Sequence, residues 1–256
     1  MIQNILKGIQ AYAGSFSLIS KLKLWKYFFI PILISIVTAV SIGLLAYSLS
    51  DTIGTFISKI WIWEWGTEIV SAISNFIGAT FIIALGLILY KHIIMALSAP
   101  FMSPVSEKIE AYLTGIDNHL HRDTSFQEQL WRGIRINLRN LTKELLLTIP
   151  IVLIGFIPIV GMLSTVFLFL VQAYYTGFGN MDYTLERHFK YKESIQFVHK
   201  NRGIAIGNGI VFMLFLLIPV LGIILALPLS VTAASLKTVE LLKAEKLIAN
   251  NKVIVK

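Results

Sequence analysis

Four stretches of this chain contain no Asp, Glu, Lys, Arg or His: residues 27–50, 69–90, 145–181 and 203–236, of 24, 22, 37 and 34 residues. A helix needs about 20 apolar residues, rising 1.5 Å each, to cross a hydrocarbon core roughly 30 Å thick. The first two runs each fit one transmembrane helix. Pro31 falls in the first turn of its run, where a missing N–H costs little. The first run is too long for the apolar core of a signal peptide, and no convincing small-residue cleavage site follows it.

The two later runs are too long for one span and too short for two spans with a turn. Each is interrupted near its middle, by Pro158 and Gly161 in one and by Pro219 and Gly222 in the other. With about five residues given to the turn, each arm holds roughly 14 to 16 residues, or about 21 to 24 Å. Such arms stop short of the far face. The pattern predicts two re-entrant helical hairpins that enter and leave by one side. Backbone that turns at depth must be buried in protein or line water, because lipid cannot satisfy its polar groups. The two tips share a short repeat, Ile157-Pro-Ile-Val-Gly161 against Ile218-Pro-Val-Leu-Gly222. That is the pattern of a duplicated hairpin, a plan used by transporters with discontinuous helices; two independent Pro-Gly turns give the same repeat.

The charges test this layout. The segment before residue 27 holds four basic residues and no acid, whereas 51–68 holds one, Lys59, with three acids. Segments 91–144, 182–202 and 237–256 hold seven, five and five. With two spans and two hairpins, 21 of the 22 basic residues fall on the cytoplasmic side, as the positive-inside rule requires. Single crossings would instead strand the five of 182–202 outside. Both termini are then expected in the cytoplasm, and Trp61, Trp63 and Trp65 of the outer loop suit an interfacial aromatic belt. Composition agrees: 56% of the residues are hydrophobic, 14% are charged and the mean hydropathy is +0.76. A soluble domain carries roughly 25% charged residues. The fold class expected is an all-α integral membrane protein with two transmembrane helices, two half-penetrating hairpins and cytoplasmic amphipathic helices, forming one membrane domain over residues 1–256. The formal charge of +8 then points to anionic lipid headgroups rather than to nucleic acid.

The polar segments 91–144 and 182–202 carry their own helix signals. Ser103-Pro104 reads as an N-cap followed by proline at the first helical position, with Glu107 in the first turn and Gly115 as the stop. Ser125-x-x-Glu128 is a capping box. In the helix that follows, Phe126, Leu130, Ile134, Leu138, Leu141 and Leu145 form one stripe, with Arg132, Arg135, Arg139 and Lys143 mostly on the other side. That is a basic amphipathic helix suited to a membrane surface; a solvated helix packed on the cytoplasmic face is the plainer alternative. Residues 184–201 are also helical in pattern. Gly203-x-x-x-Gly207 has the small-residue spacing that lets helices pack closely.

Catalytic chemistry finds little support. The chain has no cysteine, which removes thiol catalysis, disulfides and Cys-ligated metals. None of the five histidines has metal-ligand spacing; His119-x-His121, with Asp117 and Asp123, reads as a solvated loop. No nucleophile elbow, phosphate-binding loop or dinucleotide motif occurs. No metal, cofactor or catalytic residue is therefore expected. The apolar runs contain no ionisable group, which speaks against a proton-coupled pump. A pore lined by backbone, helix ends and hydroxyls remains compatible with the pattern.

Four stretches resemble the bacterial CysZ sulfate permeases and the wider etoposide-induced-protein family. They are the basic entry Leu22-Lys-Leu-Trp-Lys-Tyr-Phe-Phe-Ile-Pro31; Ser98-Ala-Pro-Phe101 with Glu107-Lys-Ile-Glu110 and Leu113-Thr-Gly115; Met181-Asp182; and the paired Pro-Gly hairpins. The resemblance implies two full spans, two half-penetrating hairpins, a homo-oligomer in the bacterial inner membrane, and sulfate uptake that feeds cysteine synthesis. It also marks candidate residues. Where the family's sulfate motif has a Gly and two adjacent Arg, this chain has Lys23, Trp25 and Lys26. Together with Lys21 these make a candidate anion site at the mouth of the first span, although lysines there equally suit positive-inside anchoring. Glu107, Lys108, Glu110, Asp182 and Arg187 are candidates for a polar network in the core or pore. The competing reading is a non-transport membrane-interface or assembly protein; a membrane enzyme is the weakest.

Overall fold

A computed structural model of the chain describes residues 1–58, 85–115, 124–155, 160–218 and 220–245. Helix dominates, and no strand occurs among the described residues. The elements are α1 (Ile2–Gln10), a 3-10 turn (Ala11–Gly14), α2 (Ser15–Lys21), α3 (Trp25–Ser58), α4 (Leu85–Leu97), α5 (Ala99–Thr114) and α6 (Phe126–Gly155). There follow α7 (Val160–Leu185), α8 (Tyr191–Lys200), α9 (Arg202–Leu216) and α10 (Leu221–Ala244). Of the sequence readings, Trp61, Trp63 and Trp65, the first part of the run 69–90, the loop with His119 and His121, Pro158 and Pro219 lie outside the described residues.

Each long apolar run folds as two helices around a break, α6 with α7 and α9 with α10. The helices outrun the arms expected from the apolar stretches. α6 spans 30 residues, α7 26 and α10 24, because the flanking polar residues continue the helix instead of ending it. At the second tip Val220 takes φ +66°, a conformation costly for a β-branched side chain. Gly222 then lets the start of α10 approach the end of α9; a Cβ there would run into Phe215. At the first break Gly161 is the second residue of α7.

α4 and α5 meet at a bend of 66°. The helix over 99–114 starts earlier than Ser103-Pro104 predicts. Its N-cap is Ser98 and Pro100 takes the early position, so Pro104 sits inside it and donates nothing to the carbonyl four residues back. Its end is as expected: Gly115 adopts φ +71° and its N–H reaches the Ala111 carbonyl. Glu128 N–H donates to Ser125 Oγ at 3.3 Å, which is half of the expected capping box. The helix pattern over 184–201 resolves into the end of α7, a turn and α8, with Lys190 N–H held by Glu193 Oε2 at 2.8 Å.

Two apolar clusters form the interior. One gathers Leu24, Phe28, Met95, Met102 and Phe212; the other gathers Ile136, Phe178, Met181, Val198 and Leu242. α9 lies between α7 and α1, and glycines set both spacings. A Cβ at Gly177 or Gly209 would strike the backbone of Ala205 or Ala173, and one at Gly207 would strike α1 at Ile5. The Gly203/Gly207 pattern therefore serves a contact with the N-terminal helix.

Among the described residues two helices are long and apolar enough to cross a membrane, Trp25–Leu49 within α3 and Leu221–Ala244; the bent pair α4–α5 passes the same test only as a unit. They differ in setting. Only 22% of the α3 window is buried, against 72% for α10. α3 leaves Phe29, Leu33, Val37, Val40 and Leu44 bare, and α6 and α7 leave Leu146, Leu153, Val166 and Phe167 bare. Water does not tolerate apolar surface on this scale, so these faces meet lipid. The chain is an all-α membrane protein.

The α7–α9 contact yields a sign test. Glycine to alanine in a helix ordinarily stabilises by up to about 1 kcal/mol. Gly177→Ala and Gly209→Ala should instead lower the thermal unfolding midpoint in detergent, by an amount equivalent to about 1–3 kcal/mol. Gly43→Ala in α3, whose Cβ meets nothing within 4 Å, should raise it slightly.

Candidate functional site

Beside its apolar clusters, the interior of this chain holds many polar and charged groups. α6 shows the inversion: the residues it buries are Gly133, Ile136, Asn137, Asn140 and Glu144, while Trp131, Leu138, Leu146 and Leu147 face outwards. Of the expected stripe, Phe126 and Leu138 are exposed and Leu130, Ile134, Leu141 and Leu145 are half-buried.

Among the described residues three charged centres sit inside. The first joins α4 to α6. Glu144 accepts from Lys91 Nζ at 2.7 Å and pairs with His92 Nε2 at 3.0 Å, and His92 Nδ1 lies 3.4 Å from Asn137 Oδ1. Lys91 and Glu144 are completely buried. Lys91 is the first charge after the run 69–90 and Glu144 the last before 145–181, so their pairing sets those two run ends side by side.

The second centre joins α5 to the end of α7. Arg187 Nη2 donates to Glu110 Oε2 at 2.9 Å, and His188 Nε2 lies 2.9 Å from Glu110 Oε1. Arg187 Nη1 also reaches Ser106 Oγ at 2.8 Å, and Ser106 donates to the Tyr183 carbonyl at 2.9 Å. The third centre joins α6 to α7 and α8. Arg132 grips Asp182 with two parallel bonds, Nε to Oδ2 at 3.0 Å and Nη2 to Oδ1 at 2.9 Å. Its other donors take the Phe189 carbonyl and Ser194 Oγ, each at 2.7 Å. Between the last two centres Glu186 is buried with Oε1 unpartnered. Burial pushes its carboxyl up, to about 7, with neighbouring Asp182 adding to the rise; a hydrogen bond from Ser103 and the charges of Arg187 and Arg132 oppose it. A cavity of about 180 Å³ opens beside it, lined in part by Arg132 and Lys190.

An uncharged chain continues inward. Asn180 Nδ2 donates to Asn208 Oδ1 and Asn208 Nδ2 to the Ser230 carbonyl, both at 2.9 Å. The Tyr12 hydroxyl lies 2.6 Å from Ser230 Oγ and 2.7 Å from the Asn208 carbonyl.

The network expected from sequence is thus divided. Glu110 and Arg187 are partners, Asp182 belongs to Arg132, and Glu107 and Lys108 are exposed on α5 outside the buried network. Lys91, His92, Arg132, Glu144, Glu186 and His188 were not anticipated. Their signal was position: several are the charges that bound the apolar runs, and a charge at such a boundary that turns inward needs an opposite one.

The open cations lie elsewhere. Lys21, Lys23 and Lys26 surround the N-terminus of α3, and Lys108 comes across from α5. Lys21 Nζ donates to the Tyr112 hydroxyl at 2.7 Å; Lys26 and Lys108 lie 5.2 and 5.9 Å from the centre of the Tyr27 ring. None of the four is in an ion pair among the described residues. Lys23 takes φ +52° in the turn between α2 and α3. That backbone suits glycine, the residue the resembled motif has there. Trp25 directs its indole N–H at Ser20 Oγ, 3.4 Å away, and packs edge-on against Phe16 and Phe28, so it serves the local packing.

Among the described residues no group of three or more His, Asp or Glu could hold a metal ion. The family model described as sulfate transporter CysZ/etoposide-induced protein 2.4 matches residues 11–226, most of the chain. No curated protein matches it.

Two outcomes test this geometry. Glu186 binds its proton more tightly in the folded state, so the stability it contributes is present below its ordinary value of 4.5 and is lost as the pH climbs through about 7. Glu186→Gln should remove that loss: relative to the unaltered protein, it should gain up to about 3 kcal/mol between pH 4.5 and 8 in denaturant titrations. Lys23→Gly should relieve the left-handed turn and stabilise the fold by about 1 kcal/mol in the same assay.

Proposed function

The chain belongs to the sulfate transporter CysZ/etoposide-induced protein 2.4 family, and we propose that it passes an oxyanion, sulfate first among candidates, across a bacterial inner membrane. The observation that carries this reading is the crown of four lysines at the N-terminus of α3, drawn from α2, the turn after it, α3 and α5, and left without carboxylate partners among the described residues. An anion arriving there meets the positive end of the helix and cations held in place by Tyr27 and Tyr112. Lysine lacks the planar fork of arginine, so this crown attracts an oxyanion without gripping it bidentately, which suits passage better than storage.

The proposed topology places both termini, α5, α8 and the buried charged centres on the cytoplasmic side. Exposed apolar surface supports it. On α3 it runs from Phe29 to Leu49, about 30 Å at 1.5 Å per residue and enough for a full crossing. On α6 the exposed residues from Leu146 to Ile154 are likewise all apolar. α10 has the length and apolarity of a span, yet its enclosure fits the inner arm of a hairpin. Backbone that turns at mid-depth needs cover, which a second copy would supply; the assembly proposed is a homo-oligomer. Sulfate delivered this way would feed cysteine synthesis.

Purified protein in sealed vesicles should take up radiolabelled sulfate. Lys23→Gln with Lys26→Gln should raise the half-saturating sulfate concentration about tenfold, the scale of one lost charge-assisted contact. Correctly inserted protein that moves no sulfate or other oxyanion would favour the membrane-interface or assembly role. Native mass spectrometry should show more than one copy; an active, strictly monomeric species would contradict the oligomer.

A further inference from the structure

One face of α6 combines a cation row with bare apolar surface. Arg135, Arg139 and Lys143 recur every fourth residue, so they stand in line over about 12 Å along the helix. They border a groove of about 350 Å³ that also holds Trp131, Leu138 and, from α8, Tyr191. The row is held in place. The Arg135 guanidinium lies 4.2 Å from the centre of the Tyr191 ring. Arg139 lies 5.2 Å from that of Phe178 and donates to Asn140 Oδ1 at 2.9 Å. None of the three is in an ion pair among the described residues, unlike Arg132 one turn earlier on the same helix. Trp131 and Leu138 are 68% and 60% exposed.

The same helix then changes character. Every exposed residue from Leu146 to Ile154 is apolar. From Lys143 to Ile154 the rise is about 16 Å, close to half a hydrocarbon core. Along one line the surface therefore offers an amphipathic tryptophan, three cations and then a bare apolar strip. A molecule that matches this order has a fixed negative headgroup joined to long acyl chains. Free sulfate or phosphate satisfies only the first part, and a neutral lipid only the second.

We propose that this groove binds one anionic phospholipid. Arg135, Arg139 and Lys143 receive its phosphate region, and its chains lie along Leu146 to Ile154. The site is separate from the lysine crown at α3 and does not depend on what the protein transports. Basic residues at a membrane surface each attract an anionic lipid severalfold over a neutral one, and three in a row compound the preference.

The full-length protein, purified in mild detergent, is offered dioleoylphosphatidylglycerol or dioleoylphosphatidylcholine, and bound lipid is counted by native mass spectrometry. The expected result is one retained phosphatidylglycerol with a strong preference over phosphatidylcholine. Arg135→Gln/Arg139→Gln/Lys143→Gln should weaken that retention by roughly a hundredfold, and the exposed single change Lys143→Gln by roughly fivefold. The single variant keeps the test open if the triple one fails to fold. Equal retention of the two lipids by the unaltered protein overturns the proposal. So does undiminished phosphatidylglycerol binding by a folded variant. Displacement of the lipid by millimolar inorganic phosphate would reassign the row to a free anion. A change of oligomeric state without a change in lipid binding would reassign the face to a contact between copies.

Discussion

A charge taken out of water must meet its opposite at once, and this requirement organises the molecule. The chain has few charges to spare, yet Lys91, Glu110, Glu144, Asp182 and Arg187 are all buried. Moving such an ion into a low-dielectric interior costs several kcal/mol, recovered only with close partners and full hydrogen bonding. Each buried ion is accordingly placed against another helix: α4 against α6, α5 against α7, α6 against α7. The pairs act as specificity devices, because a helix shifted by one turn would leave a lone charge behind. Apolar contacts cannot fix that register where the alternative surroundings are lipid tails as apolar as leucine.

The arrangement separates two tasks that sequence makes look alike. Buried charges hold helices; open charges, Lys21, Lys23, Lys26 and Lys108 at one place and Arg135, Arg139 and Lys143 at another, are in no ion pair among the described residues and are the ones proposed to meet anions from outside the protein. Glycine completes the scheme. At Gly177, Gly207 and Gly209 the backbone of α9 comes close to that of α7 and α1, and the Asn180–Asn208–Ser230 chain runs across α7, α9 and α10 in hydrogen-bond contact.

Much of the architecture was legible because charge-free length and proline-glycine breaks are strong signals. The first span, the division of each later run into two helices and the Gly115 stop were legible in this way. The start of α5 was not legible, since Ser98-Ala-Pro100 and Ser103-Pro104 are competing start signals and only the bend from α4 decides between them. Nor were the partners of the charges. Asp182 lies 50 residues from Arg132, and Glu144 lies 53 from Lys91, so pairing is a property of the packed helices alone. The lysine crown was half visible: three of its members are local in sequence, while Lys108 arrives only with the fold.

The central claim is that α6–α7 and α9–α10 enter and leave the membrane by the cytoplasmic face, which puts α8 there too. The chain contains no cysteine, so Lys190→Cys creates a single label site at the turn before α8. A membrane-impermeant thiol reagent applied to intact cells should leave this position unmodified, and should modify it once the inner membrane is opened. Modification in intact cells, with only the outer membrane made permeable, would contradict the account.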